Sequence, residues 1–152
     1  MTVQGTSAKP KTRRASNVAK GRRIVGIARD ILVGMGMRVE VAPLVAQRVR
    51  DRFKENGIRI ITVKHDFFQV WDLLCVSRDG DRFFVQVTVQ EEVPHRRSKI
   101  LASGFPCRPM DLLLGWKGGR DRHFRVFRGP GFERWDGECW RPKPTRGKVG
   151  ED

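Results

Sequence analysis

Two apolar runs, WDLLCVSR and RFFVQVTV, flank the three residues Asp79, Gly80 and Asp81. Runs of this length and composition on either side of an Asp-Gly turn are the pattern of a β-hairpin. The first run carries Asp72, whose sequence neighbours Phe67, Phe68, Val70, Trp71, Leu73 and Leu74 are all apolar. An ionised carboxylate in such surroundings is costly to bury unless a cation or a set of donors compensates it. The chain is therefore constrained to a sheet with this hairpin at its centre, and Asp72 directs attention to a metal ion.

The flanking segments extend the pattern. From Asn17 to Gly36 the residues Ile24, Ile27, Ala28, Ile31, Leu32 and Met35 recur at three- and four-residue intervals, which predicts a helix with one buried face, and Gly34 and Gly36 are stop signals. MRVEVAP alternates as a strand does and ends at a proline. LVAQRVRDRFKENG reads either as a short helix, with Leu44, Val45, Val49 and Phe53 on one face, or as a basic loop. IRIITVKHD precedes the hairpin as a further strand, HRRSKILAS follows it as a short basic helix, and DLLLGWK, HFRVFR and FERWDGECW are strand-like runs between glycine-rich turns. The expected order is αβ(α)βββαβββ, an α/β fold with a mixed sheet flanked by helices. At 152 residues one domain is expected, over 17–140, between a disordered basic arm at 1–16 and a disordered tail at 141–152.

The formal charge is +14. Met1 to Arg23 hold seven Lys or Arg and no acid, and Arg141 to Asp152 hold four against two, so the ends carry +9 and the middle +5. Basic segments rich in Ser, Thr, Gly and Pro cannot bury apolar surface and meet polyanions, or serve only as solubilising tails. No apolar run marks a secretory signal or a membrane span, so a cytoplasmic protein without membrane association is expected. Cys75, Cys107 and Cys139 are odd in number and lack zinc-ligand spacing, and they read as reduced packing residues.

The stretch DFFQVWDLLCVSRDGDRFFVQVTV resembles the metal-binding hairpin of the PD-(D/E)XK nuclease superfamily, in which an aspartate opens one strand and a (D/E/Q)xK motif lies on the next. Asp72 and Gln86-Val87-Thr88 are the matching pieces. KGRRIVGIARDILVGMGMRVEVAP is similar to the first helix and strand of archaeal and phage Holliday-junction resolvases, with Lys20-Gly21 as the matching pair. Together the two stretches cover roughly residues 17 to 118.

The resemblance implies a restriction-endonuclease-like core and phosphodiester hydrolysis with Mg²⁺ or Mn²⁺. Asp72 would be the principal metal ligand, Gln86 the second and Asp66 a third. Thr88 stands where the family has lysine, and Lys99 on the following helix is the candidate to replace it. Lys20, Arg22, Arg23, His95, Arg96 and Arg97 would contact phosphate. Val25 stands where resolvases carry a glutamate, which is a departure. Asp79 and Asp81 are turn formers. Beyond the hairpin, Trp116, Phe124, Phe127, Phe132, Trp135 and Trp140 interleave with Lys117, Arg120, Arg122, Arg125, Arg128 and Arg134. Such a pattern suits base stacking beside phosphate contacts, or simply the two faces of antiparallel strands.

Three functions follow as expectations. The first is a Mg²⁺-dependent, structure-selective endodeoxyribonuclease acting on branched or distorted DNA, as a homodimer if it follows the resolvases. The second is a DNA-binding module of the same fold without catalysis, which Val25 and Thr88 motivate. The third is an RNA- or ribosome-associated basic protein, which accounts for the tails and leaves Asp72 unexplained.

Overall fold

A computed structural model describes residues 9–50, 53 and 55–144. Residues 1–8 and 145–152, most of the expected arm and tail, lie outside the described residues. The chain forms a mixed α/β structure with a mostly antiparallel sheet and two helices.

Helix α1 spans Lys9–Gly34 and so begins within the stretch expected to be an arm. Ile24, Ala28 and Leu32, one and two turns apart, are buried together with Val25, while Lys20, Arg22 and Arg23 are exposed. Its end follows from Gly36, whose φ of 94° suits a residue without Cβ. Gly36 N–H then reaches the Val33 carbonyl (2.9 Å) and Met37 N–H the Leu32 carbonyl (3.1 Å). This paired closure satisfies carbonyls that a helix end otherwise orphans.

Strands β1 (Arg38–Val41), β4 (Leu73–Val76), β5 (Arg82–Val89), β6 (Leu112–Lys117), β7 (His123–Arg128) and β8 (Cys139–Trp140) make one sheet in the order β1-β4-β5-β6-β7-β8. All neighbours are antiparallel except β5 and β6, which are parallel because helix α2 (Val93–Ala102) crosses over between them. The expected hairpin is β4–β5. Ser77 closes its turn, with its N–H on the Asp81 carbonyl (2.8 Å) and its hydroxyl oxygen accepting from Asp81 N–H (3.1 Å).

One element departs from expectation. Leu44–Arg50 is strand β2, neither helix nor loop, and it pairs with β3 (Ile58–Lys64) as a separate two-stranded sheet, Leu44 opposite Lys64 and Arg50 opposite Ile58. The helical grouping of Leu44, Val45, Val49 and Phe53 is outweighed by the cross-strand partner that β3 supplies, the tertiary context that overrides weak propensity. FERWDGECW also yields only the two-residue β8.

The sheet has a layer on each face. On one side α1 packs Ile24, Ala28 and Leu32 against Leu73, Cys75, Val85, Val87, Leu114 and Phe124. On the other, Val93 and Ile100 of α2 pack with Trp71, Leu113, Phe127 and Phe132. No described helix is long and apolar enough to cross a membrane.

Candidate active site around Asp72 and Gln86

Asp72 lies where three strands meet, and it is only 2% exposed. Its N–H donates to the Val85 carbonyl (3.0 Å) and its own carbonyl accepts from Ala42 N–H (2.8 Å). Its Oδ2 accepts from Val87 N–H at 2.8 Å. The β4–β5 register ends at Leu73 opposite Val85, so the Asp72 carboxylate supplies the acceptor that the next ladder position would otherwise lack. A backbone donor thus compensates part of the charge that the sequence reads as a reason for a metal. The turn before it, Asp66 to Trp71, holds Phe68 and Gln69 at φ of 53° and 63°, a conformation uncommon for residues with side chains. Tertiary packing holds that geometry: Phe68 sits edge-on to Phe84, with centroids 5.6 Å apart, and Trp71 stacks on Phe84 at 5.9 Å.

Asp72 is hydrogen-bonded to both sequence neighbours of Gln86, to Val85 through its N–H and to Val87 through its carboxylate, which sets it next to Gln86 on the adjoining strand. Phe83, Val85 and Val87 face α1, so Gln86 and Thr88 face the α2 side with Phe84. Gln86 is 5% exposed, and its Oε1 is buried without a hydrogen-bond partner. Orphan acceptors of this kind are rare and carry a desolvation penalty of about 1–3 kcal/mol. An amide oxygen is a competent ligand for a hard divalent cation, so this residue fits the metal reading.

Other sequence candidates fall elsewhere. Lys99 is exposed, on the outer side of α2 with His95. Arg96 stands three residues after Val93 and four before Ile100, the two residues that bury α2, and so occupies the helix face turned to the sheet. Its Nε is buried and has no hydrogen-bond partner. Arg96, like Arg97 grouped by sequence with the phosphate contacts, is therefore on the half-buried side of α2 that faces the sheet, and Lys99 is not. Arg97 is already committed, donating to the Phe132 carbonyl at 3.3 Å. Val25 packs in the apolar layer on the opposite face of the sheet from Gln86. Asp66 heads the turn before Asp72, its carbonyl accepting from Gln69 N–H (2.9 Å). Among the described residues no three His, Cys, Asp or Glu side chains form a metal-holding group. The described residues would offer a cation at Asp72 its carboxylate and the Gln86 amide.

The interleaved aromatic residues divide. Trp116, Phe124, Phe127 and Phe132 are buried packing residues, whereas Trp135 is 37% exposed and carries the Arg125 guanidinium 4.1 Å above its ring. Gln90, with its amide oxygen turned to that guanidinium, accepts from Arg125 Nε at 2.6 Å. Arg125 is thus held on two sides, opposite Gly115 in the ladder. Cys75 is fully buried, and burial pushes its thiol up to about 12, which suits a packing residue.

A second buried carboxylate escaped the sequence reading. Asp111 is fully buried, and its two oxygens accept from Phe84 N–H (2.9 Å) and Arg108 N–H (2.8 Å). It pins the start of β6 to the start of β5, a structural role. The only sequence signal was an acid between Met110 and the run Leu112-Leu113-Leu114.

Comparison with protein-family models, with curated proteins and with solved structures finds no match to this chain.

Proposed function

We propose that this protein is a DNA-binding member of the PD-(D/E)XK nuclease fold, and that it acts as a Mg²⁺- or Mn²⁺-dependent, structure-selective endonuclease on branched DNA. The carrying observation is that Asp72 bonds to both neighbours of Gln86, Val85 and Val87, with the Gln86 Oε1 buried and unsatisfied. The element order supports the reading: a helix, the antiparallel set β1-β4-β5, a crossover helix, and β6 parallel to β5. A divalent ion bound there would polarise the phosphate and lower the pKa of a water molecule. Asp72 and Gln86 would hold it, and Arg96 would hold the phosphate in the place of the lysine that Thr88 replaces. The net charge of +14 supplies attraction for the polyanion.

A binding-only module of the same fold is the second reading. Val25, Thr88 and the Val87 N–H on Asp72 favour it, since each removes or reduces one requirement of catalysis.

The test is a synthetic four-way junction incubated with Mg²⁺ or Mn²⁺, alongside Mn²⁺ binding followed by calorimetry. Wild type is expected to cut the junction and to bind Mn²⁺. Asp72→Ala should lose both and keep DNA affinity, and Arg96→Gln should lose cutting while keeping Mn²⁺. Tight junction binding without cleavage in either metal would establish the binding-only module.

A further inference from the structure

We infer that the β2–β3 ribbon is an arm that enters the major groove of duplex DNA beside the Asp72 site. The assignment rests on the DNA-binding reading above, and it names the surface that does the gripping.

The ribbon is a sheet of its own, its strand ladder joining β2 to β3 alone among the described residues. Seven residues per strand give a length of about 24 Å at ~3.4 Å per residue. Isolated two-stranded ribbons are marginal in water, so this one calls for a surface to lie against. Its side chains indicate which surface. From Leu44 to Lys64 the chain holds six Lys or Arg and two acids, a net +4. Arg48 and Arg50, both exposed, sit directly opposite Ile60 and Ile58, which are 66% and 40% exposed. Each of these two isoleucines thus has an arginine as its cross-strand neighbour, and the exposed Leu44 lies opposite Lys64.

That alternation disfavours a second copy of the chain as the occupant, because docking two ribbons would bring two sets of +4 together across a broken apolar patch. A polyanion removes the conflict: arginines meet phosphates while isoleucines lie against base edges and thymine methyl groups. The B-form major groove, about 12 Å wide, admits a two-stranded ribbon, whereas the deep, narrow major groove of double-stranded RNA does not.

Position ties the ribbon to the site. It leaves the sheet between β1 and β4, its base closed by His65 N–H on the Pro43 carbonyl (2.9 Å), and Ala42, one residue before Pro43, donates its N–H to the Asp72 carbonyl (2.8 Å). The base of the ribbon therefore lies beside Asp72.

The experiment uses the full chain and fluorescence anisotropy with labelled 20-base-pair DNA and RNA duplexes across a salt series, comparing wild type with Arg48→Gln/Arg50→Gln. Thermal unfolding and gel filtration of both proteins are the controls. The double variant should keep its melting midpoint, lose about tenfold in DNA affinity at ~0.1 M salt, and show a log–log salt slope shallower by about 1.8. Wild-type affinity and slope in a folded variant would overturn the arm while leaving the DNA-binding reading standing. No DNA binding by wild type would overturn the reading itself. Equal loss on double-stranded RNA would overturn the groove assignment. Dimers that dissociate in Ile58→Ser/Ile60→Ser, with DNA affinity unchanged, would identify a second copy as the occupant.

Discussion

The two faces of the six-stranded sheet are built to different rules. Toward α1 the strands present Leu73, Cys75, Val85, Val87, Leu114 and Phe124, an apolar layer closed by a helix that buries Ile24, Val25, Ala28 and Leu32 against it. Toward α2 they present Trp71, Leu113 and Phe127 together with the buried polar residues Gln86 and Thr88, the glycine at 115 and, half-buried, Arg125. Apolar layers stabilise through area and packing, and polar residues inside a core generally do not, unless every partner is present. The α1 face is accordingly the purely apolar one, and the α2 face mixes apolar packing with the polar groups on which the proposed site rests. The largest expected effect tests the first half of that contrast. Phe124→Ala, on a fully buried ring whose centroid lies 4.7 Å from that of Trp116, should destabilise by about 3–5 kcal/mol in urea unfolding. A loss below about 1 kcal/mol would mean that the α1 layer is not the main core.

The α2 face is packed closely where it is not polar, and Gly115 marks the place. A Cβ built there would lie 2.7 Å from Val93 Cγ2, with the Gln90 Cα 3.5 Å away. The glycine lets the first turn of α2 lie on the sheet between Thr88 and Arg125, its ladder neighbours. Gly115→Ala should therefore destabilise by about 1–3 kcal/mol, the range for overpacking, and Gly115→Ala with Val93→Ala should recover most of that loss. The same single substitution should lower junction cleavage, because it lifts α2 and with it Arg96. Unchanged stability in the single variant would show that α2 is free to shift, and would remove the rigid support proposed for Arg96.

What the sequence made legible follows from how local each signal is. The hairpin, α1 and the crossover helix are written in runs of eight to twenty residues with their own stop signals, whereas the bonds that set Asp72 next to Gln86 come from the fold. Leu44–Arg50 was ambiguous because its apolar spacing suits a helix face, and its strand character depends on β3, which begins eight residues later. Arg96 and Lys99 lie on one short basic helix, and only the burial of Val93 and Ile100 tells which of them faces the sheet. Asp111 was invisible for a related reason, since its donors are backbone groups of residues 84 and 108, one of them far along the chain.

Gln86→Leu has the smallest expected effect on stability and separates the two faces most sharply. Replacing a buried amide whose oxygen has no partner by an apolar side chain of similar size removes a desolvation penalty and adds buried carbon. Urea unfolding should show stability unchanged or raised by about 1 kcal/mol, against the large loss expected at Phe124 on the other face. Mn²⁺ binding in the same variant should fall, since an acceptor oxygen is gone from beside Asp72. The pairing of the two results is what matters: a residue kept for the fold would lose stability when changed, and a residue kept for a ligand would lose only the ligand. Destabilisation by more than about 2 kcal/mol would place Gln86 among the structural groups with Asp111, and would leave Asp72 as the remaining support for a metal on this face.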